Sequence, residues 1–319
     1  MAVERLNDVL RNHDEQEERM SELHKEVFRL SNARKEVFMN MLLRGKPGYK
    51  WFILGIKAFK VLKPKSPRGA FLENYYVAMR YIDDVADGDV PFPEGYASRT
   101  DYVLRKLDFV KGKREPEDDI ERLLAVSSEL AGSFGADFTE ESENILKSLL
   151  FDANRRGTYQ IFSEEDLAKH FFDLDIRGGV KGSLKIFGEN PDYFKIIEPL
   201  GQAERIYYNL RDFNEDIGDG LINISGEDCA RLGITEELLR SGQYESHPGV
   251  RTWFREQAEK GLTLMEEYKR KKKINLRMET EIALIFAFEL KAKDFMANVA
   301  RGNFEGILKG TKKVKKSSL

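Results

Sequence analysis

An all-α, single-domain chain is what this sequence predicts, and three observations predict it. Apolar residues recur three and four apart in nearly every segment longer than ten residues. Few stretches alternate, and only Ile222 to Ile224 hints at extended structure. No fixed-period repeat and no Pro-, Gly- or Ser-rich linker divides the 319 residues.

Taken in order, residues 4–43 read as a charged, amphipathic arm or hairpin, with Leu6, Val9, Leu10, Met20, Leu23, Val27, Phe28 and Leu30 set among acids and bases. Gly45, Pro47 and Gly48 break it, and a helical run from Trp51 to Lys60 follows. Lys63 to Gly69, with Pro64 and Pro67, is a turn. Ala70 to Ala86 is the next helix, ended by Gly88 to Gly95 with Pro91 and Pro93. Further helices are predicted at about 100–111, 116–131, 138–155, 164–187, 192–217, 235–241, 248–270 and 277–300. The organisation is an N-terminal helical arm over 1–47, a main domain over 48–310 and a basic tail over 311–319.

Composition excludes several classes. The formal net charge of -3 comes from 52 bases and 55 acids, so no overall field points to nucleic acid. No apolar run reaches the length of a membrane span, and Met1-Ala-Val-Glu-Arg lacks the apolar region of a signal peptide. A soluble, cytoplasmic protein is the expectation. Cys229 is the one cysteine, and His13, His24, His170 and His247 show no ligand spacing. With no Gly-x-Ser-x-Gly elbow and no P-loop either, serine hydrolases, zinc enzymes and NTPases are set aside. Lys269 to Lys273 and Lys312 to Lys316 read as solvated helix ends. Attraction to an anionic membrane surface, a peripheral contact, is the second reading of those runs.

Two acidic stretches carry the chemistry. Tyr76-x-x-x-Arg80-x-x-Asp83-Asp84-x-x-Asp87 sets an aromatic, a cation and two carboxylates on one helical stripe, with Asp84 to the side. Taken alone, it is equally an exposed helix face with an Arg80–Asp84 pair. The second stretch, Asp212-x-x-Glu215-Asp216-x-x-Asp219, follows a segment rich in apolar and aromatic residues, Tyr193 to Leu210. Acids on an inward face carry a desolvation cost that an ordinary core avoids. Carboxylates crowded in this way repel one another unless a cation intervenes, and hard divalent ions suit oxygen ligands. If the two patches face each other, they would hold several Mg²⁺ ions that clamp a diphosphate, and an Arg fork suits a phosphate better than Lys does. Gly178-Gly179-Val180-Lys181-Gly182 is a third feature, because glycines weaken a helix by roughly 1 kcal/mol each. Close helix packing, room for a ligand chain, or a turn between two helices would each explain it.

With these motifs the chain resembles the squalene and phytoene synthase family, the head-to-head trans-prenyl diphosphate synthases, over roughly residues 48–310. The family's first motif is matched at Tyr76, Arg80, Asp83, Asp84 and Asp87, and its second at Leu210, Arg211, Asp212, Glu215 and Asp216. Gly178, Gly179 and Gly182 look like its glycine element. The resemblance implies an all-α isoprenoid synthase fold with helices around a central cavity, and two or three Mg²⁺ ions held by Asp83, Asp84, Asp87, Asp212, Glu215 and Asp216. It implies prenyl diphosphate substrates, farnesyl or geranylgeranyl, joined through a cyclopropyl diphosphate to squalene, dehydrosqualene or phytoene. Tyr76, Arg80 and Arg211 would stand beside the reacting diphosphate, with Gly179 and Gly182 along the substrate. A need for NADPH and the oligomeric state are left open.

The departures from the family pattern are specific. Tyr49-Lys50-Trp51-Phe52 replaces a Ser-x-Ser/Thr-Phe element, leaving Lys50 and Phe52 as the substrate contacts there. Arg205 and Tyr208 occupy the places of a Gln and a metal-side Asn, and Leu221-Ile222-Asn223 replaces Arg-x-Tyr. Two other readings stand beside the leading one. A cyclase or prenyltransferase would ionise a single allylic diphosphate, with Tyr207 and Tyr208 steering the cation if they face the cavity. A synthase-derived helical scaffold would catalyse nothing.

Overall fold

In the computed structural model of the chain the described residues are 21–23, 25–43, 47–62, 66–284 and 290–308. Among them the regular structure is helical and there is no strand, as the periodicity predicts. Contacts divide the chain into two compact units, one ending at Thr139 and the other starting at Glu140.

The first unit holds α1 (Ser31–Leu43), α2 (Pro47–Leu62), α3 (Pro67–Ala86), α4 (Arg99–Val110) and α5 (Asp119–Ser133). Ser66 caps α3 by accepting from the Arg68 N–H, and Pro67 begins it where no N–H is needed. Asp118 caps α5 through the Glu121 N–H at 2.9 Å. The helix thus starts three residues before the predicted Ala70, because the Ser-Pro pair is its start signal. α3 packs along α5, and the Phe71 ring meets Phe134 edge-to-face and Phe138 at a tilt, ring centres 5.6 and 4.3 Å away. The proposed arm over 1–47 lies partly outside the described residues, and the tail over 311–319 wholly so.

The second unit holds α6 (Thr139–Arg155) from its second residue onward, followed by α7 (Glu164–Phe171). α7 runs without a break through a π-helical segment, Phe172–Val180, into α8 (Lys181–Phe187). Gly178 and Gly179 therefore sit inside one helical run, and the turn considered for them is not there. α9 (Phe194–Arg211) and α10 (Phe213–Gly218) follow, then α11 (Gly226–Leu232), α12 (Glu236–Ser241), α13 (Pro248–Lys271), α14 (Met278–Leu284), α15 (Leu290–Ala300) and α16 (Glu305–Leu308). The single helix predicted over 192–217 is interrupted at Asp212, which ends α9 and precedes α10. At that break Phe213 is buried against Tyr244, Trp253 and Phe254. Ile222 and Ile224 are fully buried in a loop, so their alternation reflects burial and not a strand.

α9 packs along α13 and against the π-helical segment. Glycines allow close approaches here: a Cβ at Gly201 on α9 would lie 2.5 Å from Ile176 Cδ1 of the π-helical segment, and one at Gly261 on α13 would lie 2.2 Å from Met296 Sδ on α15. No helix among the described residues is long and apolar enough to cross a membrane.

Candidate active site

The first acidic stripe lies on α3, with Asp87 as its C-cap donating its N–H to Asp83 O at 2.8 Å. Arg80 Nη1 donates to Asp83 Oδ2 at 2.6 Å, and Arg80 Nη2 pairs with Asp84. The Arg80–Asp84 pair of a plain helix face is therefore present, yet Asp84 is only 1% exposed while Asp83 is 29% exposed. A buried carboxylate needs such a cation, whereas a surface pair adds little. Tyr76 lies half-buried one turn before Arg80. Lys50 and Phe52 fall on α2, but their side chains lie outside the described residues.

In the second unit Asp212 and Asp216 stay one turn apart despite the break, the Asp216 N–H reaching Asp212 O at 2.9 Å. Both are half-buried, while Glu215 is exposed. Arg211 grips Asp212 with two donors, Nε to Oδ1 at 2.8 Å and Nη2 to Oδ2. Its guanidinium lies over the rings of Tyr207 and Tyr208 at 5.2 and 4.7 Å, and Tyr208 Oη donates to Glu204 Oε1 at 2.7 Å. The two tyrosine faces thus cover a cation of the protein itself. Arg205 forks onto Asp175 of the π-helical segment, Nε to Oδ2 at 2.7 Å and Nη2 to Oδ1 at 2.6 Å. Asp219 pairs with Arg156 at 2.6 Å.

A third layer joins this site to α6. Asn223 Nδ2 donates to Asp216 Oδ2 at 2.9 Å, and Asn223 Oδ1 accepts from Arg155 Nη2 at 2.7 Å. Arg155 also donates to Asp152 Oδ1 at 2.8 Å and to the Ile222 carbonyl at 3.0 Å. His170 Nε2 lies 3.3 Å from the same Asp152 oxygen. The electrostatics follow from these neighbours. Burial, with the Asp212 carboxylate beside it, raises the Asp216 carboxyl well above the usual range. Burial likewise pushes Glu204 up to about 8. Asp152 is half-buried, and although desolvation raises its carboxyl, the charges of His170 and Arg155 outweigh that and hold it well below an ordinary aspartate.

The second unit contains a cavity of about 600 Å³ between α7, the π-helical segment, α9, α13 and the loop before α11. Phe171, Phe172, Ile206, Trp253 and Leu264 give it apolar walls, and Asp175, Arg205, Asn209, Asn223 and Lys260 its polar ones. Asn209, one position after Tyr208, thus lines this wall. Gly178 is a packing residue, because a Cβ there would meet Ile145 Cγ1 at 2.4 Å. Gly179 is exposed, and a Cβ there would meet only Leu174 O at 3.7 Å. Gly182 is buried on α8.

Sequence spacing therefore locates the carboxylates but not Asp175, Arg155, Glu204 or Asp152, whose partners are set by packing between helices. Among the described residues no three acidic, histidine or cysteine side chains converge on one point. Mg²⁺ is nevertheless suited to what each motif offers, two carboxylates four residues apart, because this ion takes one or two carboxylates and fills its other positions with water and phosphate oxygens.

No protein-family model matches the chain, and no curated protein does. Its structure is similar to that of a dehydrosqualene synthase in complex with ligand, with a TM-score of 0.61 and 20% identity over 92% of this chain and 94% of that one. It is also similar to the squalene synthase HpnC from Alicyclobacillus acidocaldarius, with a TM-score of 0.60 and 16% identity over 87% of this chain and 96% of the other. These likenesses show the all-α isoprenoid synthase fold.

Proposed function

We propose that the chain is a Mg²⁺-dependent prenyltransferase of the squalene and phytoene synthase family that joins two prenyl diphosphates head to head. The observation that carries this reading is the half-buried Asp212–Asp216 pair: two carboxyl groups are held a turn apart, where burial and the neighbouring Asp212 charge together penalise ionisation of Asp216. A protein without a cation to place there gains nothing from the arrangement. The fold shared with a squalene synthase and a dehydrosqualene synthase supports it.

In this reading Asp83, Asp87, Asp212 and Asp216 hold Mg²⁺, with Asp84 and Glu215 beside them. When bound, the ions neutralise the charge that develops on a departing diphosphate. Arg80 and Arg211 orient the carboxylates in the absence of substrate, and their forks suit a diphosphate when it arrives. Arg205, already held by Asp175, shapes the wall where a Gln would otherwise stand. Lys50 and Phe52, with Gly179 and Gly182, complete the substrate contacts. The apolar part of the second unit's cavity excludes water from the prenyl chain, which keeps an allylic cation from being quenched.

The test is to incubate the purified protein with Mg²⁺ and farnesyl or geranylgeranyl diphosphate, with and without NADPH, and to analyse the organic extract by mass spectrometry. A hydrocarbon or cyclopropyl diphosphate built from two prenyl units is expected, and it is lost in Asp83→Ala and Asp212→Ala proteins that keep their helical circular dichroism. A product with a single prenyl unit would replace this reading with a cyclase. Unreacted substrate in every reaction would leave the scaffold.

A further inference from the structure

Resting on that reading, we infer that Arg155 and Asn223 form a brace that positions the Asp216 carboxylate for its cation. Asn223 stands between the two, its Nδ2 on Asp216 Oδ2 at 2.9 Å and its Oδ1 receiving Arg155 Nη2 at 2.7 Å. An amide can present either end to a carboxylate, and only the nitrogen end attracts it. The guanidinium is a donor with no acceptor, so it takes the oxygen end and turns the nitrogen towards Asp216.

Arg155 can do this because it is itself tied down by its own partners. It is 4% exposed, tied to Asp152 Oδ1 and the Ile222 carbonyl, and its guanidinium carbon lies 5.3 Å from the Phe151 ring centre. The positive charge therefore reaches Asp216 at one remove, and among the described residues no direct salt bridge covers the carboxylate. Asp83, Asp84 and Asp212, by contrast, are each paired directly with an arginine. Asn223 also lines the cavity of the second unit, so the brace links the second motif to the cavity wall. Arg155 and Asn223 are positioning residues: they act through Asp216.

Calorimetric titration of Mg²⁺ into protein premixed with inorganic diphosphate tests the brace, alongside thermal unfolding without ligand. Asn223→Leu is expected to weaken Mg²⁺ binding 10- to 100-fold, the usual loss when a group that orients a metal ligand is removed. Its ligand-free melting midpoint should stay within a few degrees of wild type. In an Asp216→Asn background the same substitution should cause no further loss, because its effect passes through that carboxylate. Wild-type affinity in Asn223→Leu, or an equal loss in both backgrounds, overturns the brace alone. A wild-type protein that takes up no Mg²⁺ with diphosphate overturns the functional reading and the brace with it. Should Asn223→Leu fail to fold, Asn223→Gln, which moves the amide by one methylene, is expected to show the same coupled loss, and wild-type affinity there overturns the brace.

Discussion

Glu204 shows how one residue's surroundings set its charge. Burial outweighs the hydrogen bond from Tyr208 and pushes its carboxyl from 4.5 up to about 8. Below about pH 4.5 the group is protonated whether the chain is folded or not. Between there and about 8 the unfolded chain releases a proton that the folded chain keeps, so stability falls as pH rises, by up to about 1.4 kcal/mol per pH unit. Above that window the slope ends. Asp216 is raised in the same sense, by burial and by Asp212, so two carboxyls contribute. Glu204→Gln keeps an acceptor for Tyr208 and removes one of them. Its melting midpoint should vary less than wild type between pH 5 and 8 and be the higher of the two at pH 8, whereas parallel pH curves would show that Glu204 is ionised throughout. The carboxylates of the two motifs were legible from spacing alone, since residues three and four apart share a helix face. Glu204 was not: it is one acid among 55 until Tyr208 is seen turned onto it.

At the level of elements, Gly178 and Gly179 are neighbours in sequence with opposite demands. The π-helical segment presses Gly178 against Ile145 of α6 and leaves Gly179 facing outward. Gly178→Ala should lower the melting midpoint, because a Cβ 2.4 Å from Ile145 Cγ1 forces a repacking that typically costs about 1–3 kcal/mol. Combining it with Ile145→Ala should recover part of that loss, while Gly179→Ala, with nothing nearer than 3.7 Å, should be neutral or mildly stabilising through helix propensity. Equal effects at the two glycines would show that packing against α6 does not distinguish them. Periodicity made most helices readable, but neither the π-helical segment nor the break at Asp212. A π turn admits one more residue without any punctuating Gly or Pro, and across the break the Asp216 N–H still reaches Asp212 O, so the local pattern stays helical.

Across the whole molecule, the division between Thr139 and Glu140 has no signature in composition: residues 134–138, Phe-Gly-Ala-Asp-Phe, form a short connection that buries Phe138. Both units bury apolar side chains, the second in a large cluster through α9 and α13, and the first also encloses a charge cluster that hydropathy alone does not reveal. Lys106 and Glu121 are both 0% exposed, and Lys106 Nζ donates to Glu121 at 3.0 Å, to Tyr96 Oη at 2.8 Å and to Asp118. The rings of Tyr96 and Tyr102 flank the ammonium at 4.9 and 4.5 Å. Burial pushes the Asp118 carboxyl up, but the Lys106 charge wins and holds it below its ordinary value. Lys106→Met keeps the length of the stem and removes the cation, so carboxylates are left without it in the interior, a change that commonly costs about 3–5 kcal/mol. For a chain of this size that lowers the melting midpoint by roughly 10 °C. The stabilisation from Asp118 is present above its unfolded value near pH 3.9 and is lost as pH falls through the lower folded value. The gap between wild type and Lys106→Met should accordingly be widest near neutral pH and narrow in acid, where the Asp118 carboxyl protonates. Adding Asp118→Asn and Glu121→Gln should restore part of the midpoint at neutral pH. A gap that is small, or that does not change with pH, would mean that Arg114, which donates to Glu121 at 3.0 Å, already supplies the charge this cluster needs.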